Sequence, residues 1–205
     1  MTTITPLRLA GLVPAAGASR RMGRDKRRLP LGESTVLEET LRALYRGGCT
    51  PIVVVLEPTS PLRERLGTTQ EFGELLLAEN PHPERGMLSS IRAGLAALPP
   101  DVDAVAVQPG DHAFVPPEAI RRLREVLDRE RPLLLVPRYP GRRGHPLILR
   151  RELFAEAAAC DDDVGLRQLL DHRRNDLRIL DLDLPGADDD LDTPEDYARR
   201  RDKRA

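Results

Sequence analysis

The sequence predicts an α/β fold, with three αβα layers built around a mostly parallel, twisted sheet. Three observations point there. Short apolar runs alternate with longer amphipathic segments as far as residue 139. The run Ile52-Val-Val-Val-Leu56 is apolar at every position, as in a strand buried on both faces. The resulting βαβα order demands crossover connections, which put helices on both faces of a parallel sheet. The 205 residues suffice for one such domain with a sizeable core, so a single domain over 1–205 is expected.

Residues 7–13 read as the first strand, running into a small-residue loop at residues 14–17. Residues 35–46 read as a helix: Thr35 with Glu38 makes a capping box, Leu37, Leu41 and Leu44 form the apolar stripe, and Gly47-Gly48 stops it. Strands follow at residues 52–56 and 74–78, then a helix at residues 88–98 closed by Pro99-Pro100. Residues 104–107 form a strand that leads into Gln108-Pro-Gly-Asp111. A helix at residues 116–129 opens with proline near its first turn, and a strand at residues 133–136 comes next. Beyond Tyr139 the alternation loosens. Residues 141–144 read as a turn, 147–149 as a short strand, 152–159 and 164–170 as helices, 177–182 as a late strand, and 194–201 as a terminal helix. No internal repeat is visible, and the acidic triplets at residues 161–163 and 188–190 are the low-complexity patches.

Composition excludes several functions. Lys plus Arg number 32 and Asp plus Glu 33, so there is no general charge to draw nucleic acid or an anionic membrane. Trp is absent and aromatics are 3%, too few for a base-stacking platform. Cys49 and Cys160 show no CxxC spacing, which argues against a zinc site or disulfide framework and suits a reducing, cytoplasmic compartment. The first ten residues lack a signal-peptide layout, and no apolar run approaches a membrane span.

The most informative segment is Pro14-Ala-Ala-Gly-Ala-Ser-Arg-Arg-Met-Gly-Arg-Asp-Lys26. Small residues at the carboxyl end of a strand let backbone N–H groups approach a phosphate, and Arg20, Arg21 and Lys26 add mobile positive charge there. A P-loop is excluded because Gly23 is followed by Arg24-Asp25-Lys26 rather than Lys-Ser/Thr. A dinucleotide fingerprint is excluded because Ser19 stands where its second glycine belongs. The bland alternative is a glycine turn with solvated arginines.

This run resembles the signature of the MobA-like nucleotidyltransferases, approximately AAGxSxRMGxxK, and matched blocks continue to the end of the chain. The resemblance implies a Rossmann-like nucleotidyltransferase fold. It implies a nucleotide site of Ala15, Ala16, Gly17, Ser19, Arg20, Met22, Gly23, Lys26 and Ser90, with Arg20 and Lys26 as catalytic cations. Arg27-Arg28 departs from the pattern, since relatives usually carry leucines after the lysine. Gly86-Met-Leu-Ser-Ser-Ile-Arg-Ala-Gly94 resembles a second block, GMxxSlxxGL. Ser89 or Ser90 there either meets a base or ribose, or simply caps the helix.

Asp111 ends the strand-loop Gln108-Pro-Gly-Asp111, where relatives place a metal-binding Asp. His112 follows where relatives often carry Gln-Pro or Met-Pro, and a lone His is more often a structural hydrogen-bonder. Asp190-Leu-Asp-Thr-Pro-Glu-Asp-Tyr197 resembles the closing DIDTPEDY block, with Asp192 favoured over Asp190 as second ligand, or as a cap of the helix opening at Pro194. The resemblance therefore implies Mg²⁺ on Asp111 and Asp192.

Two further stretches resemble the molybdenum cofactor cytidylyltransferase branch: residues 137–146, ending Gly-Arg-Arg-Gly-His-Pro, and Asp163-Val-Gly-Leu-Arg167. They imply an acceptor site of Arg143, Gly144, His145 and Arg167, beside Arg142, able to hold an anion. The alternative for Gly-Arg-Arg-Gly is a basic turn in water. The expected organisation is a nucleotide half over roughly 1–112 and an acceptor half over roughly 113–205. The implied reaction moves CMP from CTP to a phosphorylated acceptor, molybdopterin foremost. A methyl on Ala16 would crowd a purine, which favours CTP over other NTPs. The partners implied are the NTP, the acceptor, and a molybdoenzyme or its accessory protein. Other acceptors, other NTPs, or a nucleotide-binding accessory protein without turnover are the alternatives. The four histidines, at 82, 112, 145 and 172, show no metal-ligand spacing.

Overall fold

The computed structural model describes residues 5–17, 25–140 and 142–185, together with Ala187 and Tyr197. Its sheet runs β10-β7-β9-β6-β1-β4-β5, with β8 paired to β7. The strands are β1 (Leu9–Pro14), β4 (Ile52–Leu56), β5 (Leu75–Glu79), β6 (Ala104–Val107), β7 (Leu134–Tyr139), β8 (Arg142–Arg143), β9 (Leu147–Arg150) and β10 (Leu177–Asp181). Parallel pairs join β1 to β4 and β6, β4 to β5, and β10 to β7. Only β9 and β8 run against the rest. The sheet is thus mostly parallel, as expected, but an antiparallel strand sits inside it, between β6 and β7.

Alternation along the central strands builds a core on each face. Leu9 and Val13 of β1 and Ala104 and Ala106 of β6 face one way. They meet Leu37, Leu41 and Leu44 of α1 (Val36–Arg46) and Ile120, Leu123 and Leu127 of α4 (Pro117–Glu130). Ala10 and Leu12 of β1, with Val105 and Val107 of β6, face the other way. They meet Leu88 and Ile91 of α3 (Met87–Ala96), Ala157 of α5 (Phe154–Ala158) and Leu169 of α6 (Leu166–His172). α3 sits unusually close to the sheet: a methyl at Gly94 would lie 2.9 Å from Leu12 and 3.0 Å from Val55.

The capping box opens α1 as expected, Thr35 Oγ1 accepting from the Glu38 amide at 3.3 Å while Glu38 Oε2 accepts from the Thr35 amide at 2.8 Å. Three features were not anticipated. The hairpin β2 (Pro30–Leu31) with β3 (Ser34–Thr35) and the helix α2 (Leu62–Thr68) are too short and too polar to show a period. Arg142–Arg143, expected as a turn, pair antiparallel with Tyr139 and Arg138. The terminal helix expected at residues 194–201 lies outside the described residues except for Tyr197, which is helical. Tyr197 packs beside Leu29, Leu31, Val36 and Ala113, and its hydroxyl donates to the Pro30 carbonyl. Among the described residues, no helix is long and apolar enough to cross a membrane.

Candidate active site

The site grows from two parallel neighbours that end together. Leu12 of β1 stands beside Val107 of β6, so the loops that follow leave the sheet side by side. They are stitched by the Gln108 amide donating to the Leu12 carbonyl at 3.0 Å and the Gly110 amide to the Pro14 carbonyl at 3.3 Å. The crevice beyond the carboxyl ends of such strands is where open α/β sheets take ligands.

A first cavity of about 540 Å³ opens there, lined by Ala15, Gly17, Arg27, Gly86, Ser90 and Asp111 among others. Four expected site residues, Ala15, Gly17, Ser90 and Asp111, are therefore brought together. Ala16 is fully buried and is not among the residues that line the cavity. Ser19, Arg20, Met22, Gly23, Asp190 and Asp192 lie outside the described residues. Lys26 is not the mobile cation expected. It sits in the 3-10 turn Lys26–Arg28, capped by Asp25, and is only 7% exposed.

Arg27, which sequence reasoning noted only as a departure, contributes to the cavity wall. Its guanidinium is fixed by Asp25, from Nε to Oδ1 at 2.6 Å and from Nη2 to Oδ2 at 2.9 Å, with Glu57 at 3.8 Å. Asn80 was also missed. Fully buried just beyond β5, it donates from Nδ2 to Ser89 Oγ at 2.8 Å and to Ser90 Oγ at 2.9 Å. Neither serine caps α3. The cap position is Gly86, at φ +90°, without a side-chain hydrogen bond, while Ser89 Oγ donates back to the Gly86 carbonyl at 2.7 Å. The first amides of α3 thus start at the cavity edge, a setting that favours anions.

Asp111 is the described half of the expected metal pair. Among the described residues, no group of three or more His, Cys, Asp or Glu gathers as a metal site. Asp111 shares the first cavity with Glu84, and a carboxylate there suits a hard divalent ion that completes its shell with water and phosphate oxygens.

A second cavity, of about 680 Å³, collects all four expected acceptor residues: Arg143, Gly144, His145 and Arg167. Its apolar floor comes from Leu88 and Ile91 of α3 and Val107, Val136 and Leu147 of the sheet. Met87 borders both cavities. On β8, successive side chains face opposite ways, and Arg143 rather than Arg142 lines the cavity.

His145 departs from its expected part in holding an anion by charge. Burial, then the nearby His112, depress its pKa to about 4, against a hydrogen bond with the Val107 carbonyl at 3.4 Å. At neutral pH it is an uncharged imidazole, which leaves Arg143 and Arg167 as the cationic groups among the four. His112 meets the His145 ring edge-on at 4.8 Å, and its carbonyl accepts from Gln108 Nε2 at 3.0 Å. The ring contact links the Asp111 loop to the second cavity.

The sequence pattern of the MobA-like NTP transferase domain matches residues 11–177. Molybdenum cofactor cytidylyltransferase of Escherichia coli is 23% identical over 195 residues, covering 94% of this chain and 95% of that protein. A probable molybdenum cofactor guanylyltransferase of Mycolicibacterium paratuberculosis is 39% identical over 92 residues, covering 43% of this chain and 45% of its own. Among solved structures, Rv0371c of Mycobacterium tuberculosis superposes with a TM-score of 0.81 at 30% identity, covering 97% of this chain and 99% of that one. A manganese complex of Rv0371c superposes with a TM-score of 0.76 at 29% identity, covering 97% and 100%.

Proposed function

The chain belongs to the MobA-like NTP transferase family, and from that premise we propose that it transfers CMP from CTP to the phosphate of molybdopterin, releasing pyrophosphate. The observation that carries this reading is the pair of cavities at one end of the sheet, with Met87 on the border of both. One has a glycine-loop wall, a helix start and Asp111. The other has two arginines over an apolar floor.

In the transfer, an oxygen of the acceptor phosphate attacks the α-phosphorus of CTP, and the bond from that phosphorus to the bridging oxygen of pyrophosphate breaks. The attacking oxygen is already ionised, so no general base is needed, and orientation and charge neutralisation do the catalysis. The residues 14–17 loop and the start of α3 hold the nucleotide, and Arg143 and Arg167 hold the acceptor against Leu88 and Ile91. Arg20 offsets charge on the departing pyrophosphate, with Lys26 adding fixed positive charge from its buried place in the turn before Arg27. Asp111, with Asp192, would hold Mg²⁺, which when bound neutralises phosphate charge and activates the α-phosphorus. The manganese complex of the mycobacterial relative supports a divalent ion. A molybdoenzyme or its accessory protein would receive the product.

CTP is favoured because a relative matched along nearly the whole chain is a cytidylyltransferase. GTP is the second reading, favoured by the 39% identity of a 92-residue stretch to a guanylyltransferase. A thermal-shift panel of CTP, GTP, ATP and UTP with MgCl₂ separates them. A nucleotide at 100 times its Kd adds about 2.7 kcal/mol. CTP is expected to raise the midpoint most, and a rise with GTP alone would overturn the cytidylyl assignment. Asp111→Ala is expected to stay folded while pyrophosphate release falls by about 10²–10³-fold. Full turnover in that variant would put the metal elsewhere.

A further inference from the structure

A charged junction joins the walls of the two cavities, and the transfer just described does not use it. Arg92 of α3 turns its guanidinium toward the end of α5. Its Nε donates to the Ala158 carbonyl at 2.6 Å and its Nη2 to the Cys160 carbonyl at 2.5 Å. Those carbonyls stand where a helix runs out of its own donors, so the arginine closes α5. The remaining Nη1 donates to one carboxylate oxygen of Asp162.

The other Asp162 oxygen accepts from Arg85, from Nε at 3.0 Å and from Nη2 at 2.8 Å. These hydrogen bonds from Arg92 and Arg85 hold the carboxyl below the ordinary carboxylate range. Arg85 ends the 3-10 turn Pro83–Arg85, whose Pro83 and Glu84 line the nucleotide cavity. Asp162 opens the stretch that walls the acceptor cavity as far as Arg167. The two backbones also approach at this point: a methyl built on Gly86 would lie 3.9 Å from the Asp162 carbonyl oxygen.

We propose that Asp162 is a positioning residue, whose carboxylate, gripped by Arg85 and Arg92, locks the nucleotide-side turn to the acceptor-side loop so that filling the first cavity sets Arg167 for the second. The inference rests on the two-substrate reading above. Its force is geometric rather than stabilising, because solvent-facing ion pairs contribute little to folding. In-line transfer, by contrast, punishes a misplacement of about 1 Å with a loss of about 10²-fold. Asparagine at this position keeps the shape but cannot do the task. It has one acceptor oxygen, and its amide N–H groups would face guanidinium donors.

The test is hydrogen–deuterium exchange on the full chain, wild type beside Asp162→Asn and Asp162→Glu, with and without CTP and MgCl₂, together with steady-state pyrophosphate release. The reporters are the Arg85 and Gly86 amides, bonded to the His82 and Pro83 carbonyls, and the Val164 and Gly165 amides, both bonded to the Asp161 carbonyl. In wild type, CTP is expected to slow both pairs. In Asp162→Asn without nucleotide, both pairs are expected to exchange roughly tenfold faster, and CTP to slow only the first. Turnover should show a kcat lower by about tenfold, with the CTP KM within about twofold, and Asp162→Glu should recover most of it. Wild-type protection that stops at Gly86, or unchanged exchange of both pairs in the nucleotide-free Asp162→Asn protein, would overturn the proposal. Failure of the nucleotide assignment looks different. CTP would then leave Arg85 and Gly86 unprotected, and the nucleotide-free comparison would still decide the role of Asp162.

Discussion

At the residue scale, His145 shows how a motif can be found and its chemistry misread. The sequence placed it in the acceptor site, and it does line that cavity, but its pKa falls from 6.5 to about 4. An imidazole with a lowered folded pKa binds its proton more readily in the unfolded chain. Its contribution to stability is complete above the unfolded value of 6.5 and erodes as pH falls toward about 4. Unfolding midpoints of wild type and His145→Gln compared at about pH 7.5 and about pH 5 should differ in slope, with wild type losing on the order of 2 kcal/mol more. Parallel curves would show that the ring carries its proton normally. The cavity-lining residues legible in the chain were those on short loops at strand ends, Gly17 and Asp111 among them, because local spacing alone sets their position. Arg27 and Asn80 were not legible. Their roles come from Asp25 and Glu57 in one case and from two serines of another element in the other, and no period in the sequence encodes such meetings.

At the scale of elements, legibility followed burial. β4 and β6 were read to the residue, since a strand covered on both faces must be apolar throughout. β9 was read as a strand, yet its place was not, because antiparallel insertion between β6 and β7 depends on partners far along the chain. α2 buries only Leu62 and Leu66 and has no side-chain cap, so nothing in seven residues announces it. α3 is the element on which the site depends most, because it supplies Met87 and Ser90 to the first cavity and Leu88 and Ile91 to the second. Its close seat on β1 and β4 is made possible by Gly94. Gly94→Ala is expected to push α3 outward and cost about 1–3 kcal/mol, read as a lower urea midpoint. Because α3 carries both walls, turnover should fall further than stability alone requires. A variant as stable and active as wild type would mean that Leu12 and Val55 yield without moving the helix.

For the whole molecule, the nucleotide and acceptor halves expected near residue 112 do not correspond to separate cores. β6 belongs to the first half and β9 and β7 to the second, yet the three are consecutive in one sheet. The core under α1 and α4 mixes Leu9 and Val13 with Leu135, Tyr139 and Ile148, so cutting the chain between the halves would expose apolar surface on both pieces. A fold arranged this way should lose both cavities in one step. Urea unfolding followed by far-ultraviolet dichroism, by tyrosine fluorescence and by exchange at the Gly165 amide is expected to give one shared midpoint. Saturating CTP with MgCl₂ should move all three together, since a ligand that binds only the native state stabilises everything that unfolds with it. An early transition confined to residues beyond 112, leaving CTP binding intact, would make the acceptor half a separate unit. The path from the nucleotide to Arg167 would then run through the Asp162 junction alone rather than through the common sheet.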